Sequence, residues 1–195
     1  MAKKIQKKKV STIYQLKISL QHSKPPIWRR VTVPNDFTLA DLHRVIQTAM
    51  GWMGGHLHEF NIGGVSYGEI DPDWPNDMED EVGVKLNKLL KKEKQKIRYI
   101  YDFGDDWEHV IELEKILTSD TASSKPKCIT GRRACPPEDC GGLYGYYELL
   151  DTISDPDHPE REETLEWLGE EDFDPAFFDL DEVNRRLANL GTRIK

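Results

Sequence analysis

The stretch IRYIYDFGDDWEHVIELE, residues 97–114, reads as two strands joined by an acidic turn, and it sets the fold class of the chain. Ile97, Tyr99, Tyr101 and Phe103 stand at every second position before the turn, and Trp107, His109, Ile111 and Leu113 do so after it. A period of two marks half-buried strands, and two such runs this close in sequence pair as an antiparallel hairpin. For both sets to share one face, the numbers of paired residues must sum to an even number. Phe103 opposite Trp107 satisfies this, leaves Gly104-Asp105-Asp106 as the loop, and sets Tyr101 opposite His109. On the other face Lys96 meets Glu114 and Arg98 meets Glu112. The same register opposes Asp102 to Glu108, with Asp105 and Asp106 at that end of the ladder. Like charges directly opposite destabilise a sheet. Full solvation, a raised carboxyl pKa or a cation among the carboxylates relieves such crowding.

Outward from the hairpin, Tyr14, Leu16, Ile18 and Leu20 alternate with polar residues, and a second strand, Ile27 to Val33, follows between prolines. The period then changes. Leu39, Leu42, Val45, Ile46, Ala49 and Met50 recur at helical spacing, Thr38 and Asp41 suit an N-terminal cap, and Gly51 suits a C-terminal stop. GGHLHEFNIGG, residues 54–64, reads as a strand between glycine turns, with His56, His58, Phe60 and Ile62 on one face. DPDWPNDMED, residues 71–80, reads as an irregular acidic loop, VKLNKLLKKEKQ, residues 84–95, as a short helix, and TSDTASSKPK, residues 118–127, as a polar loop. The last third is helical in pattern, with Asp157 placed to cap a helix opened by His158-Pro159 and Gly191 ending the final one. The expectation is an α+β fold with a helical C-terminal part: a basic disordered tail over 1–11 and a single domain over 12–195.

Composition narrows the function. With 37% hydrophobic residues, five Trp, seven Tyr and six Phe, the 195-residue chain can build a substantial core, which disordered chains cannot. No apolar run approaches the ~20 residues of a membrane span, and no apolar stretch follows the N-terminal lysines, so the chain reads as cytoplasmic without membrane contact. Residues 1–9 carry five lysines and no acid, which leaves the remainder at −13, five below the net −8. So acidic a body repels phosphate backbones, and no specific duplex DNA binding is expected. Motifs for phosphate loops, dinucleotide folds and zincin proteases (GxxxxGK[ST], GxGxxG, HExxH) do not occur.

The candidate site is the acidic turn with the nearest imidazoles. His56 and His58 point to the same side of their strand, as in several metal sites. If that strand lies beside the hairpin, His56, His58, Asp102 and His109 converge on one pocket, with Asp105 and Asp106 as its rim. A divalent metal ion is the cofactor this set implies. His109 fits a core histidine bonded to Tyr101 better than it fits a ligand, and the turn equally fits a solvated acidic loop. Cys128, Cys135 and Cys140 lack CxxC spacing; they read as structural thiols, with zinc binding or a redox pair as the alternatives.

PPIWRR (25–30), LHRVIQTAMGWMGGHLHEF (42–60), YDFGDDWEH (101–109) and CPPEDCGGLYGY (135–146) together resemble one family, the plasmid pRiA4b ORF-3-like family, over about residues 12 to 190. The resemblance implies a roll-like antiparallel sheet wrapped on a helix, an association with plasmids and mobile elements, and no established activity. Some members carry a resolvase-like label. A serine recombinase needs an activated serine among several arginines, which this chain does not offer. The expected function is therefore a soluble accessory or binding protein with a protein or small-molecule ligand. The alternative is a divalent-metal-dependent hydrolase of phosphoesters using the Asp/His cluster around residues 102–109.

Overall fold

Two hairpins laid side by side form the centre of the sheet. The computed structural model describes residues 11–70, 77–119, 125–169 and 173–190. Strands β1 (Ser11–Leu20) and β2 (Trp28–Pro34) make the first hairpin, and β6 (Lys96–Tyr101) and β7 (Trp107–Ser119) the second; β1 pairs antiparallel with β7 between them. Strands β3 (His58–Ile62), β4 (Val65–Gly68) and β5 (Glu79–Asp80) extend one side, and β8 (Lys127–Arg132) the other, giving the order β5-β4-β3-β6-β7-β1-β2-β8. Only the β4–β5 pair is parallel, and the sheet is open.

Helix α1 (Leu39–Met50) covers this sheet. Its apolar stripe, Leu39, Leu42, Val45, Ile46 and Ala49, is fully buried in one cluster with Leu16, Val31, Tyr99 and Ile111. Burial of each large aliphatic side chain stabilises by about 1.5–3 kcal/mol. Thr38 and Asp41 form the expected reciprocal cap: Asp41 N donates to Thr38 Oγ1 at 3.1 Å and Thr38 N to Asp41 Oδ2 at 2.9 Å. Gly51 stops the helix at φ 111°, a conformation that costs glycine little. The short α2 (Leu86–Leu89) precedes β6, and α3 (Gly142–Ser154), α4 (Arg161–Leu168) and α5 (Leu180–Ala188) make up the helical C-terminal part. Helix α5 packs on β8 and α1. Its Asn184 blocks the outer edge of β8, accepting from Cys128 N at 2.9 Å and donating to Cys128 O at 3.0 Å.

The even-sum rule holds in the β6–β7 hairpin, but the register is displaced by two residues: Tyr101 pairs with Trp107 and Tyr99 with His109. The cause is local. Asp102 and Asp106 adopt left-handed backbone at φ 57° and 54°, and Asp106 N closes the loop on Asp102 O at 2.7 Å. Residues 102–106 therefore all belong to the turn, and Phe103 leaves the strand and stands half-exposed. Lys96 lies opposite Glu112 rather than Glu114, and Arg98 reaches diagonally to Glu108 at 2.6 Å. Glu114 is instead gripped by both arms of Arg30, at 2.6 and 2.7 Å. Asp102 does not face Glu108. Helix α4 begins at Arg161, not at His158-Pro159, because His158 N and Arg161 N are used in successive turns that bond Asp155 O and His158 O. The basic tail apart from Ser11, the acidic loop over 71–76, the centre of the polar loop at 120–124 and Gly191 lie outside the described residues.

Candidate functional site

Asp102 is built into its turn by its own side chain. Its Oδ1 accepts from Gly104 N at 2.9 Å and from Asp105 N at 3.4 Å, the self-capping arrangement that aspartate favours in turns. The residue is only 8% exposed, and its other oxygen, Oδ2, faces His56 Nδ1 at 3.6 Å. His56 sits just before β3, where Leu57 O accepts from Asp102 N at 2.9 Å and ties the two segments together. On its far side His56 Nε2 lies 3.2 Å from Asp139 Oδ1. The structure thus joins His56 and Asp102, and adds Asp139 from a third segment.

His58 and His109 are held elsewhere. His58 is the first residue of β3, buried, with Nε2 donating to Glu81 Oε2 at 2.9 Å and its ring stacked on His43 at 3.7 Å between centroids. Gln47 Nε2 donates to the Tyr99 hydroxyl at 3.0 Å, so that hydroxyl gives its own proton to His43 Nδ1, 2.9 Å away. Burial, and after it the neighbouring His58 and Arg44, push the His43 imidazole down to about 3. His109 donates from Nδ1 to Trp107 O at 2.9 Å, rather than bonding a tyrosine, and its Nε2 is buried with no partner among the described residues. Full burial pushes its pKa down to about 4. The His43 and His109 rings are neutral at pH 7, and neither His58 nor His109 reaches the His56 cluster.

The third segment, residues 135–142, wraps over the acidic turn. Trp52 Nε1 donates to Pro136 O at 2.9 Å, Met53 N donates to Glu138 Oε2 at 3.1 Å, and the Tyr101 hydroxyl donates to Glu138 Oε1. That last bond, after burial, raises the pKa of Tyr101. Gly141 N donates to Asp105 Oδ2 at 3.2 Å, which fixes Asp105 in place on the rim while Asp106 stays exposed. Gly142 is required here: at φ 67°, a Cβ on it would lie 2.4 Å from the Asp105 carbonyl oxygen. Beside this contact runs a cleft of about 630 Å³ bounded by Trp52, Met53, Pro136, Pro137, Asp139 and Trp167. Met53 is 89% exposed and Trp167 52%, unusual for apolar side chains in a concave place.

The three cysteines are free thiols. Burial raises the pKa of Cys128 and Cys135 and pushes Cys140 up to about 12, so all stay protonated and poorly nucleophilic at neutral pH. Among the described residues the one group of three imidazole, thiol or carboxylate ligand atoms close enough to share a metal ion is His56, Asp102 and Asp139. Sequence reasoning missed Asp139, Glu138 and Trp52. Their segments have no period, and the signal present was the acid pair set between two cysteines in CPPEDC.

The fold and these contacts define an α+β protein whose sequence motifs divide into two jobs. GWMGGH, YDFGDD and CPPEDCGG converge on one surface. PPIWRR is structural: buried Arg29 donates from Nε to Ala49 O at 2.8 Å, at the carbonyl end of α1, while its Nη1 donates to Arg132 O at 3.1 Å. The chain belongs to the family described as plasmid pRiA4b ORF-3-like protein, whose profile matches residues 12–182. It is 37% identical over 185 residues to the uncharacterized protein y4hQ of Sinorhizobium fredii, covering 94% of this chain and 95% of the relative. It is also similar to the crystal structure of the protein of unknown function MM3350 from Methanosarcina mazei Go1, with a TM-score of 0.79 and 38% identity over 88% of this chain and 97% of the other. No helix among the described residues is long and apolar enough to cross a membrane.

Proposed function

We propose that the chain is a cytoplasmic accessory protein that binds a ligand in the cleft beside the acidic turn, within a single domain over residues 12–195. The observation that carries this reading is the pairing of exposed Met53 and Trp167 with Pro136 and Pro137 around about 630 Å³ of open space. A concave apolar surface with a few polar groups at one end is the usual form of a ligand site. The ligand that fits is a flat apolar group, a small molecule or an aromatic side chain of a partner. Binding is favoured over turnover because the thiols are held protonated and, among the described residues, no histidine is hydrogen-bonded to a serine, threonine or cysteine.

The test uses Nile red, a neutral dye that fluoresces in apolar surroundings. The full-length protein should bind it with a blue-shifted emission, and Trp167→Ala should abolish the signal while leaving the melting temperature unchanged. Dye binding indifferent to Trp167→Ala would sink the cleft as the site. Hydrolysis of bis-p-nitrophenyl phosphate by the purified protein with Mn²⁺, lost in Asp102→Asn, would replace binding with the phosphoester hydrolase reading.

A further inference from the structure

We propose that His56, Asp102 and Asp139 bind one divalent transition-metal ion, Zn²⁺ in preference to Mg²⁺, which clasps the 135–142 segment to the hairpin turn. The three side chains come from three segments, yet one ligand atom from each lies within 4.8 Å of the others. Donors about 2.0–2.2 Å from a common tetrahedral ion sit roughly 3.4 Å apart. His56 turns Nδ1 to Asp102 at 3.6 Å and Nε2 to Asp139 at 3.2 Å. One imidazole gives one nitrogen to an ion, so binding has the largely exposed Asp139 side chain swing to the nitrogen that faces Asp102.

A second observation concerns the Asp102 carboxylate. The Asp102 side chain is largely buried, 12% exposed, and its turn consumes only Oδ1. Oδ2 accepts no hydrogen bond from any described residue and is aimed at the cluster, with His56 beyond hydrogen-bonding distance. That leaves Oδ2 free to ligate an ion. The surroundings lack positive charge. Asp105 on one loop meets Gly141 of the other, and the ion pairs among the described residues bring no lysine or arginine to Asp105, Asp106, Glu138 or Asp139. A divalent ion between Asp102 and Asp139 neutralises both. One imidazole with two carboxylates suits a borderline ion such as Zn²⁺; Mg²⁺ prefers an all-oxygen shell. Because Asp139 also lines the cleft, the ion would fix one of its walls. This inference does not depend on what the cleft binds.

The experiment is isothermal titration of the full-length protein, stripped with EDTA and exchanged into chelator-free buffer, with ZnCl₂ and separately with MgCl₂, paired with thermal melts. Zn²⁺ should bind at a single equivalent and raise the melting temperature, and MgCl₂ should do neither. His56→Gln and Asp139→Asn should each weaken Zn²⁺ binding at least ~10-fold. Asp139 is largely exposed and its described polar contact is with the half-exposed His56, so the Asp139→Asn protein should melt close to the stripped wild type. No Zn²⁺ binding by the wild type, or unchanged affinity in both variants, overturns the proposal; the latter would move the ion to the cysteines.

Discussion

Acid should destabilise this protein well above the carboxylate range, through two imidazoles that the fold keeps neutral. In the unfolded chain both titrate near pH ~6.5. In the folded protein burial holds His109 at about 4 and His43 at about 3. A depressed histidine costs nothing above its unfolded pKa. As pH falls below that value the unfolded state takes up protons that the folded state refuses, and stability is lost until the folded pKa is reached. Between about pH 7.5 and about pH 5 the loss is ~2 kcal/mol for each ring, or ~4 kcal/mol together. Protonated His109 would carry its second N–H at Nε2, where no described acceptor waits, so the protein cannot readily relax around the charge. The assay is urea unfolding in EDTA at the two pH values, followed by tryptophan fluorescence. His109→Phe keeps the ring volume and removes the titration, so it should lose about 2 kcal/mol less than wild type over that interval. Equal pH dependence in wild type and His109→Phe would refute the reasoning and mean that the ring is solvated.

Leu42→Ala and Ile46→Ala, which open cavities under α1, should each cost about 2–4 kcal/mol in the same assay; a loss below ~1 kcal/mol would mean that the helix does not cover the sheet. Asn184→Ala removes both bonds that close the β8 edge and should cost ~1–3 kcal/mol, with concentration-dependent association visible by light scattering. Gly142→Ala should lower the melting temperature and weaken Nile red binding, because the 135–142 segment can no longer close on Asp105. Duplex DNA should bind weakly, with a steep salt dependence that vanishes on deletion of residues 1–9; specific binding that survives salt would restore the resolvase label.

The elements legible in the sequence are those with a period. The alternation of Tyr14 to Leu20 and the helical stripe of Leu39 to Met50 each encode a buried face, and Thr38, Asp41 and Gly51 mark the ends of α1. The hairpin was legible in its face but not its register. Parity follows from the apolar sets, whereas the loop length depends on Asp102 and Asp106 turning left-handed, which aspartate permits without requiring. The site was half legible for the same kind of reason. His56 and Asp102 meet through adjacent segments, joined by the Asp102–Leu57 backbone bond. His58 and His109 share the core-facing side, where Glu81, His43 and Trp52 surround them, and no local pattern announces those partners. Asp139 lies in an irregular segment whose placement comes from side-chain contacts with Trp52 and Tyr101 and from Gly141 N on Asp105.

Whether residues 52–56, 102–106 and 135–142 form one site is decided most directly by hydrogen–deuterium exchange of the full-length protein with and without Zn²⁺. Bound ion should slow exchange in peptides from all three segments together while leaving α5 unchanged. Protection confined to the cysteine-bearing segment, or absent from the hairpin turn, would contradict a shared site.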